Sequence, residues 1–281
     1  MNNGKSKKIA YLGPENSFSC LAVKKYISGL EQNYAPLLCS IFFDVLDNVK
    51  IGAADLAIVP LENSTEGIVN EVTDGLIFSD TDLYINADFS IAIDNFLIYK
   101  NGSKLENINT LYSHWQPFGQ CRNTIKKLLP NAKVVFENST ASAVAAIKDN
   151  ASAAIGGKQL VSGNFIASDK PINDATDNRT RFAIISKYNS FCPTHTKSTI
   201  TFETQNKSGA LVEILSILKK HNLNMTRLES RPHKSHLGRY IFLVDIAANA
   251  HDKKTATALS LIEKKSSFYK FLGSYRTIDL D

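Results

Sequence analysis

Short apolar segments that each end in a polar or glycine-rich loop recur along the first 188 residues, and they constrain the fold more than any other feature of the chain. Their length and composition are typical of buried strands, and helical patterns follow most of them. Five of these segments end at Leu12, Pro60, Tyr112, Phe136 and Ile155. Because ligands in open α/β sheets bind beyond the carboxyl ends of the strands, we expect the five loops to converge on one cleft.

The order of the elements divides the chain. Two extended apolar runs between Leu83 and Tyr99 indicate a crossover into a second lobe, and the aperiodic segment after Tyr188 is typical of a linker. Beyond the linker the predicted order is strand, helix, strand, strand, helix, strand, which is ferredoxin-like. The sequence therefore predicts an α/β protein with a two-lobed domain at residues 8–188 and a ferredoxin-like βαββαβ domain at residues 198–281.

Composition excludes several classes of protein. Hydrophobic residues are 43% of the 281 and charged residues 21%, and no stretch approaches the roughly 18 unbroken apolar residues of a membrane span. No apolar signal-peptide core follows the basic start MNNGKSKK, so we expect a cytoplasmic protein without a membrane partner. The net charge of +5 is spread along the chain, which argues against nucleic acid and favours a small anionic substrate.

The cysteines and histidines do not form the pattern of a metal site. The cysteines lack Cys-x-x-Cys spacing, which predicts reduced thiols rather than a zinc site or a disulfide framework. They are Cys20, Cys39, Cys121 and Cys192. The spacing of His233 and His236 is one that metal ligands can have, but two ligands in a loop are a weak signal, and we expect both to be solvated.

The stretch Asn178-Arg179-Thr180-Arg181-Phe182 has the character of an active-site edge, because polar residues here lead directly into an apolar strand. Thr180 lies between two arginines that keep their charge at neutral pH, so an anionic substrate is expected to be drawn to its hydroxyl. The alternative is a surface turn with two solvated arginines.

Other strand ends carry side chains that suit ligand binding. The segment from Leu61 to Gly67 is dense in such residues, and Ser17 is either a plain helix N-cap or part of an anion site. His114 has the ordinary pKa of a general acid at neutral pH, although a histidine just after a strand more often fixes the loop by hydrogen bonds.

Seven blocks along the chain together resemble the monofunctional prephenate dehydratases that carry an ACT regulatory domain. In order they are IAYLGPENSFS, VPLENSTEG, SHWQPFGQC, ENSTASA, NRTRF, SGALVEIL and ESRP. Several blocks in register, covering about Ile9 to Val244, are far more specific than any one of them.

The resemblance implies a fold and a reaction. The catalytic domain of the family has two lobes like a type 2 periplasmic binding protein, and its ferredoxin-like ACT domain senses L-phenylalanine. The reaction removes carbon dioxide and water from prephenate and yields phenylpyruvate, within phenylalanine biosynthesis. No cofactor is implied, because aromatisation supplies the driving force.

The resemblance also implies roles for individual residues. Thr180 corresponds to the catalytic threonine, which donates a hydrogen bond or a proton to the departing hydroxyl. Asn63, Ser113 and Gln120 match other active-site positions, and Arg181 is expected to hold a substrate carboxylate. The further substrate-binding candidates are Glu62, Thr65, Phe182 and Ser17.

Two segments of the ACT domain match the family's phenylalanine-binding segments. They are Gly209, Ala210, Leu211 and Val212, and Glu229, Ser230, Arg231 and Pro232. Small residues at a helix start leave backbone amides open to a carboxylate. In the family these segments come from two subunits, which implies a homodimer or homotetramer.

The chain departs from the family pattern in two blocks. Asn16 and Ser17 stand where the family has glycine and threonine, and both look conservative, because Asn tolerates left-handed backbone and Ser keeps the hydroxyl. Trp115 stands where proline is usual, which puts the geometry around Ser113 in question. Two alternative functions stay open, namely arogenate dehydratase and a non-catalytic amino-acid sensor.

Overall fold

The computed structural model describes residues 6–30, 33–234, 236 and 238–280, which form seven α-helices and fifteen strands in two sheets. The helices are α1 (Phe18–Ser28), α2 (Phe42–Lys50), α3 (Asn70–Ile77), α4 (Trp115–Leu128), α5 (Thr140–Ala145), α6 (Ala210–Lys220) and α7 (Lys253–Lys265). The strands before the linker are β1 (Lys7–Leu12), β2 (Tyr34–Cys39), β3 (Leu56–Asn63), β4 (Gly67–Ile68), β5 (Tyr84–Ala92), β6 (Phe96–Lys100), β7 (Thr110–Ser113), β8 (Lys133–Phe136), β9 (Ser152–Gly156), β10 (Phe165–Ala167) and β11 (Arg179–Ser186). The strands after it are β12 (Lys197–Glu203), β13 (Met225–Pro232), β14 (Tyr240–Ile246) and β15 (Phe268–Thr277). None of the described helices is long and apolar enough to cross a membrane.

In the first lobe, apolar runs predicted β1, β3 and β11 and part of β5, whereas β2 was not predicted. β1 is parallel to β2 and to β3, as strand–helix–strand units require, and β11 lies antiparallel between β3 and β5. Buried clusters cover both faces of this part of the sheet, which explains the continuous apolar runs at residues 9–12 in β1 and 56–61 in β3. The carboxyl ends of β1 and β3 therefore lie at the same edge as the start of β11.

The second lobe is the five-stranded sheet β10-β6-β9-β7-β8 with α4 and α5. The chain enters it between β5 and β6, at the predicted crossover, and returns between β10 and β11. The two connecting segments lie side by side, since Ile93 N donates to the carbonyl of Asn178 at 2.8 Å and Ile172 N to that of Asn95 at 2.7 Å. This pair of segments joins the lobes, and we call it the interlobe connection (residues 93–95 and 172–178).

The elements after the linker have the predicted ferredoxin-like order, with β12, α6, β13, β14, α7 and β15 in sequence. Their sheet is not separate from the first lobe. β15 pairs with β12 on one side and, in parallel, with β5 on the other, where Arg276 lies opposite Ala87. The result is one ten-stranded sheet in the order β13-β14-β12-β15-β5-β11-β3-β1-β2, with β4 attached to β3.

The hydrophobic core continues across this junction. Leu243 and Tyr275 from beyond the linker belong to the same buried cluster as Leu76, Ile85 and Ile185 of the first lobe, and each is at most 2% exposed. Because apolar surface is shared rather than merely touching, the two parts of the chain are expected to unfold together.

We predict that Gly273→Ala weakens this junction. Gly273 has φ +131°, and a Cβ added there would collide with the carbonyl oxygen of Ile85 in the neighbouring strand. Backbone strain and overpacking together should lower the free energy of unfolding by about 1–3 kcal/mol, measured by urea denaturation.

Gly119→Ala is the matched control, because Gly119 lies inside α4 with no atom within 4 Å of an added Cβ. Alanine is the better helix former there, so this variant should be as stable as the parent or more stable. A Gly273→Ala variant as stable as the parent would contradict the close approach of β15 and β5.

Candidate active site

A cavity of about 640 Å³ lies between the two lobes, where the loops after the strands converge as predicted. The ends of β1 and β3 and the start of β11 form its floor, with Thr180, Phe182 and Asn63 among the lining residues. The starts of α1, α2, α3, α4 and α5 surround it. The cavity thus combines a sheet edge with several helix starts, as ligand sites of open α/β sheets do.

Thr180 and Asn63 are neighbours on adjacent strands of the floor. Asn63 Nδ2 donates to Thr180 Oγ1 at 2.9 Å, while Asn63 Oδ1 accepts from the backbone N–H groups of Thr65 and Glu66 at 2.9 Å each. Those two donors fix which end of the Asn63 amide faces Thr180. Because Thr180 Oγ1 already accepts a hydrogen bond, its own hydrogen is free to point towards a ligand.

Asn178 connects this pair to the second lobe. Its Oδ1 accepts from Asn63 Nδ2 at 2.8 Å and from the Thr65 hydroxyl at 3.0 Å, and its Nδ2 donates to Gln120 Oε1 at 2.9 Å. The side chain is 5% exposed. Asn178 belongs to the interlobe connection, so the same residue fixes the active-site amides and the relation between the lobes.

Gln120 projects from α4 of the second lobe into the cavity. Its Oε1 also accepts from Asn95 Nδ2 at 3.1 Å, so its Nε2 is left to donate, and it does so to Glu66 Oε1 at 3.1 Å. One hydrogen-bonded chain of side chains therefore lies at the cavity, and we call it the amide chain. It consists of Asn63, Asn178, Gln120, Asn95 and Glu66.

The three residues that the family resemblance grouped, Thr180, Asn63 and Gln120, all line the cavity. Sequence reasoning assigned no role to Asn178, Asn95 or Glu66. Asn178 opens the NRTRF block, and Asn95 lies inside an otherwise apolar run. The signal that could have identified Asn95 is its position as a polar residue within an apolar run, because a buried amide needs hydrogen-bond partners.

Ser17 lies at the cavity and caps α1, since its Oγ accepts from Cys20 N at 3.2 Å. The residue before it, Asn16, has φ +62°, so asparagine does occupy left-handed backbone here. Ser17 therefore caps α1, and its position in the cavity lining also allows it to contact a ligand.

Ser113 and Thr65 position other residues instead of lining the cavity. Ser113 is fully buried, and its hydroxyl donates to the carbonyl of His114 at 2.8 Å. The Thr65 hydroxyl is shared between the Asn63 and Asn178 side chains. The expectation that these two residues contact substrate is therefore corrected to one of positioning.

Arg181 corrects a second expectation, because its side chain points away from the cavity. Successive residues of a strand face opposite sides of the sheet, so Arg181 cannot share a side with Thr180. Its guanidinium donates to Asp88 at 2.7 Å, to Asp245 at 2.6 Å and to Glu62 at 3.0 Å. With these carboxylates around it and a side chain 12% exposed, Arg181 cannot hold a substrate carboxylate.

Glu62 is corrected for the same reason, since it precedes Asn63 on β3 and faces the opposite side. Its carboxylate pairs with Arg181 and lies 3.8 Å from Arg227 Nε. We call Arg181, Glu62, Asp88, Asp245 and Tyr275 the Arg181 cluster.

The protonation states within the cluster follow from burial and charge. Burial raises the pKa of Tyr275 well above its ordinary value, so its phenol is neutral at pH 7. Burial alone would lower the pKa of Arg181, but its acidic neighbours outweigh this and hold that pKa above the ordinary value. The cluster therefore contains a permanent cation.

The attraction of an anion to the cavity must have another source than the arginines beside Thr180. Arg179 Nη2 donates to the carbonyl of Ser90 at 3.1 Å, and Arg181 lies on the other face. No lysine or arginine is among the described residues that line the cavity, and its carboxylates are those of Glu66 and Glu71. The starts of α1, α3 and α4 line the cavity, and a helix start carries the positive end of the helix dipole, which favours an anion.

His114 caps α4. Its Nδ1 accepts from Gln116 N at 3.4 Å, a role that requires the neutral ring. Burial lowers the pKa of His114, because the charged form is the less stable one away from water. These observations support the loop-fixing role over that of a general acid.

The first predicted effector segment lines a separate hollow of about 250 Å³, together with Tyr240 and Phe242. The start of α6 contributes all four residues of this segment to the hollow, namely Gly209, Ala210, Leu211 and Val212. Gly209 has φ +79°, a backbone conformation that suits glycine.

The second predicted effector segment, Glu229 to Pro232 on β13, does not line this hollow. Ser230 and Pro232 are exposed, and Glu229 lies 3.9 Å from Arg227. Arg231 donates to Asp74 at 2.8 Å and to Asn70 at 2.6 Å, both on α3. Within one chain, Arg231 is thus committed to the cavity-lining helix α3.

Among the described residues no group of three or more histidine, cysteine, aspartate or glutamate side chains is placed to hold a metal ion. His233 and His236 contact one another, with their Nδ1 atoms 3.4 Å apart.

Comparison with known proteins gives consistent matches along the chain. Residues 9–190 match the family described as prephenate dehydratase, and residues 198–260 match the ACT domain. A prephenate dehydratase of Methanocaldococcus jannaschii is 36% identical over 281 residues, which cover 98% of this chain and 100% of that protein.

Two solved structures are similar over nearly the whole length. A prephenate dehydratase from Arthrobacter aurescens in complex with L-Phe has 29% identity and a TM-score of 0.83, covering 96% of this chain and 90% of that one. GqqA, described as a novel type of quorum quenching acylase, has 26% identity and a TM-score of 0.83, covering 97% and 98%.

We predict that His114 titrates below the ordinary histidine pKa of about 6.5, because burial disfavours its charged ring. NMR measurement of histidine resonances against pH should show the His114 midpoint shifted downwards, together with that of His195, whose pKa burial also lowers. Since the unfolded chain then binds the proton more readily, His114 weakens the fold as the pH falls below its ordinary pKa.

His114→Asn identifies the resonance and serves as the control. Asparagine is a good N-cap that does not titrate, so the His114 resonance should vanish while α4 keeps its cap. A His114 midpoint at or above the ordinary value would contradict the neutral, capping ring.

Proposed function

Because this chain belongs to the prephenate dehydratase family and carries an ACT domain, we propose that it converts prephenate into phenylpyruvate, with loss of carbon dioxide and water. The observation that carries the proposal is the Thr180 hydroxyl, which is held by Asn63 so that its hydrogen faces the cavity between the lobes. The proposed reaction is that of a carbon–oxygen lyase.

The proposed step balances without an external oxidant or reductant. The bond between the ring and its carboxylate breaks, and the electron pair enters the ring as carbon dioxide leaves. The ring hydroxyl takes up one proton from solvent as its bond to the ring breaks and leaves as water, so the dianion and one proton yield the phenylpyruvate anion, carbon dioxide and water. Aromatisation supplies the driving force.

Thr180 is proposed as the oriented donor to the departing hydroxyl. A threonine is a weak acid, so its contribution comes from a hydrogen bond that strengthens as negative charge develops on the leaving oxygen. The hydrogen bond from Asn63 keeps that donor aimed at the cavity, and the backbone donors of Thr65 and Glu66 keep Asn63 in place. Such preorganisation requires no rearrangement during the reaction.

The lack of lysine and arginine among the described lining residues suits the loss of carbon dioxide. A tight ion pair would stabilise the carboxylate in the ground state more than in the transition state, in which its charge moves into the ring. Helix starts attract the dianion without forming such a pair. The cavity is therefore suited to binding an acid that must lose its charge.

We predict that Thr180→Val lowers kcat by about 10²–10³, the usual effect of losing one transition-state donor. Valine keeps the shape of threonine but cannot donate a hydrogen bond. Formation of phenylpyruvate from prephenate measures the effect. Thr180→Ser, which keeps the hydroxyl, is the control and should retain most of the activity, whereas a fully active valine variant would remove Thr180 from the mechanism.

The same assay separates the alternative functions. Turnover of arogenate without turnover of prephenate would make the protein an arogenate dehydratase, and tight binding without any product would make it a sensor. Acylase activity would need a base that activates a nucleophile. In the cavity, His114 is not placed to be that base through Nδ1, because this atom already accepts a hydrogen bond from Gln116 N.

Phenylalanine is the proposed regulator, and the hollow at the start of α6 is its proposed site. The backbone N–H groups at a helix start suit the carboxylate, and Tyr240 and Phe242 offer apolar contact to a ring. The segment from Glu229 to Pro232 does not reach this hollow within one chain. We therefore propose that a second copy supplies it, in a homodimer or homotetramer.

A path from the regulatory domain to the catalytic cavity is proposed through Arg231. It bonds to Asp74 and Asn70 of α3, and Asn70 itself lines the cavity. A shift of β13 on effector binding would change the position of α3 and thus the shape of the cavity. The two sites are coupled in this way only if the effector binds two positions of β13 unequally.

Domain limits of 8–188 and 198–281 and a cytoplasmic location are part of the proposal. The four cysteines are free thiols, as is usual in a reducing compartment.

We predict that Gly209→Leu abolishes inhibition by phenylalanine while turnover of prephenate stays intact, because a leucine side chain would occupy the hollow. Initial rates with and without phenylalanine measure both properties. Gly102→Leu is the control, since Gly102 also has positive φ and open space around it but lies outside the hollow. Loss of turnover together with inhibition in Gly209→Leu alone would argue against a separate effector site.

A further inference from the structure

Trp115 is the chain's one tryptophan and the first residue of α4. It lines the cavity between the lobes, yet its side chain is 62% exposed. A tryptophan gains more from burial than almost any other side chain, so one that stays open at a binding cavity points to a ligand that covers it.

The backbone at this position does not require tryptophan. The first position of a helix accepts many residues, proline included, because its N–H has no partner within the helix. His114 before it has φ −71° and ψ 148°, the extended conformation that proline demands of its predecessor. The backbone conformation therefore does not explain the tryptophan, and the explanation must lie in what its indole contacts.

The surroundings of the indole are aromatic on both sides of the cavity. The ring of His114 lies 5.4 Å away between centroids, tilted by 44°. The first lobe contributes Phe18 and Phe42 to the same cavity, while the hydrogen-bonding groups of Thr180 and Asn63 lie on its floor. The lining of the cavity thus combines hydrogen-bonding groups with several aromatic rings.

We propose that Trp115 is a specificity-determining residue whose indole carries the six-membered ring of the substrate. The proposal rests on the proposed function and names a contact that this function leaves unassigned. Because the indole offers a flat face, it selects acids that bear a ring over open-chain keto acids of similar charge.

The same contact strengthens during the reaction. The substrate ring has two tetrahedral carbons, and both become planar as carboxylate and hydroxyl leave. A flattening ring makes more contact with a flat indole, so Trp115 binds the transition state and the product better than the substrate. Its removal is therefore expected to lower kcat as well as to raise KM.

The fluorescence of the unmodified protein gives a direct test, since all tryptophan emission comes from Trp115. Titration with phenylpyruvate, which bears the aromatic ring, should change the emission saturably, and pyruvate, which lacks the ring, should not. Calorimetry on the same samples measures binding independently. Binding of phenylpyruvate without a change in emission, or no binding at all, would overturn the proposal.

Kinetic variants give the second test. Trp115→Ala and Trp115→Pro should lower kcat/KM for prephenate roughly tenfold, and Trp115→Phe, which keeps an aromatic face, should retain most of it. Phe136→Ala is the matched control, because Phe136 is 57% exposed on the same lobe but does not line the cavity. It should behave like the parent. Parent-like kcat/KM in both Trp115→Ala and Trp115→Pro would overturn the proposal.

Failure of this proposal is distinguishable from failure of the proposed function. If the parent protein does not convert prephenate, the proposed reaction fails, and the fluorescence titration still decides whether the indole receives a ring. If the parent converts prephenate while the Trp115 variants match it, the reaction stands and the role of Trp115 is overturned.

Discussion

The buried guanidinium of Arg181 is the interaction on which the rest of the structure depends. It bonds to Asp88 and Glu62 of the first lobe and to Asp245 from beyond the linker, so one cation joins both parts of the chain. Desolvation makes such a group unfavourable unless every partner stays in place, and loss of one partner of a buried pair typically costs about 3–5 kcal/mol. The strand that carries it also carries Thr180 on its opposite face. The position of the Thr180 hydroxyl, the proposed donor, therefore depends on a charge cluster on the far side of the sheet.

The amide chain has the corresponding role on the side of the cavity. In each amide of this chain, a neighbouring residue binds either the oxygen or the NH₂ group. The direction of the other group is thereby fixed. Through Asn178 and Gln120 the chain crosses from the first lobe to the second, and Asn178 also belongs to the interlobe connection. A change in the relation of the lobes would thus disturb the hydrogen bond that aims Thr180. The same residues therefore orient the Thr180 hydroxyl and connect the two lobes.

Much of this arrangement could be predicted from local pattern. Apolar runs predicted many of the strands, and the rule for open sheets predicted a cleft at their ends, whereas the family resemblance assigned Thr180, Asn63 and Gln120 to it. The errors at Arg181 and Glu62 were avoidable, because residues next to one another in a strand face opposite sides. The pairing of β15 with β5 was not readable in this way, since it joins segments nearly two hundred residues apart and depends on tertiary packing. The hydrogen bonds of Arg231 to α3 could not be predicted from the sequence for the same reason, because they too join distant segments of the chain.

The position of β15 has a consequence for the order in which the chain is made. Until residues 268–277 have been synthesised, β5 presents an unpaired edge next to the unfinished Arg181 cluster. Exposed strand edges invite pairing with other chains, and partly made proteins are vulnerable to it. The first lobe therefore stays incomplete on the ribosome from the synthesis of β5 until that of β15. Protection at that stage, whether by chaperones or by speed of synthesis, is a requirement that this topology imposes.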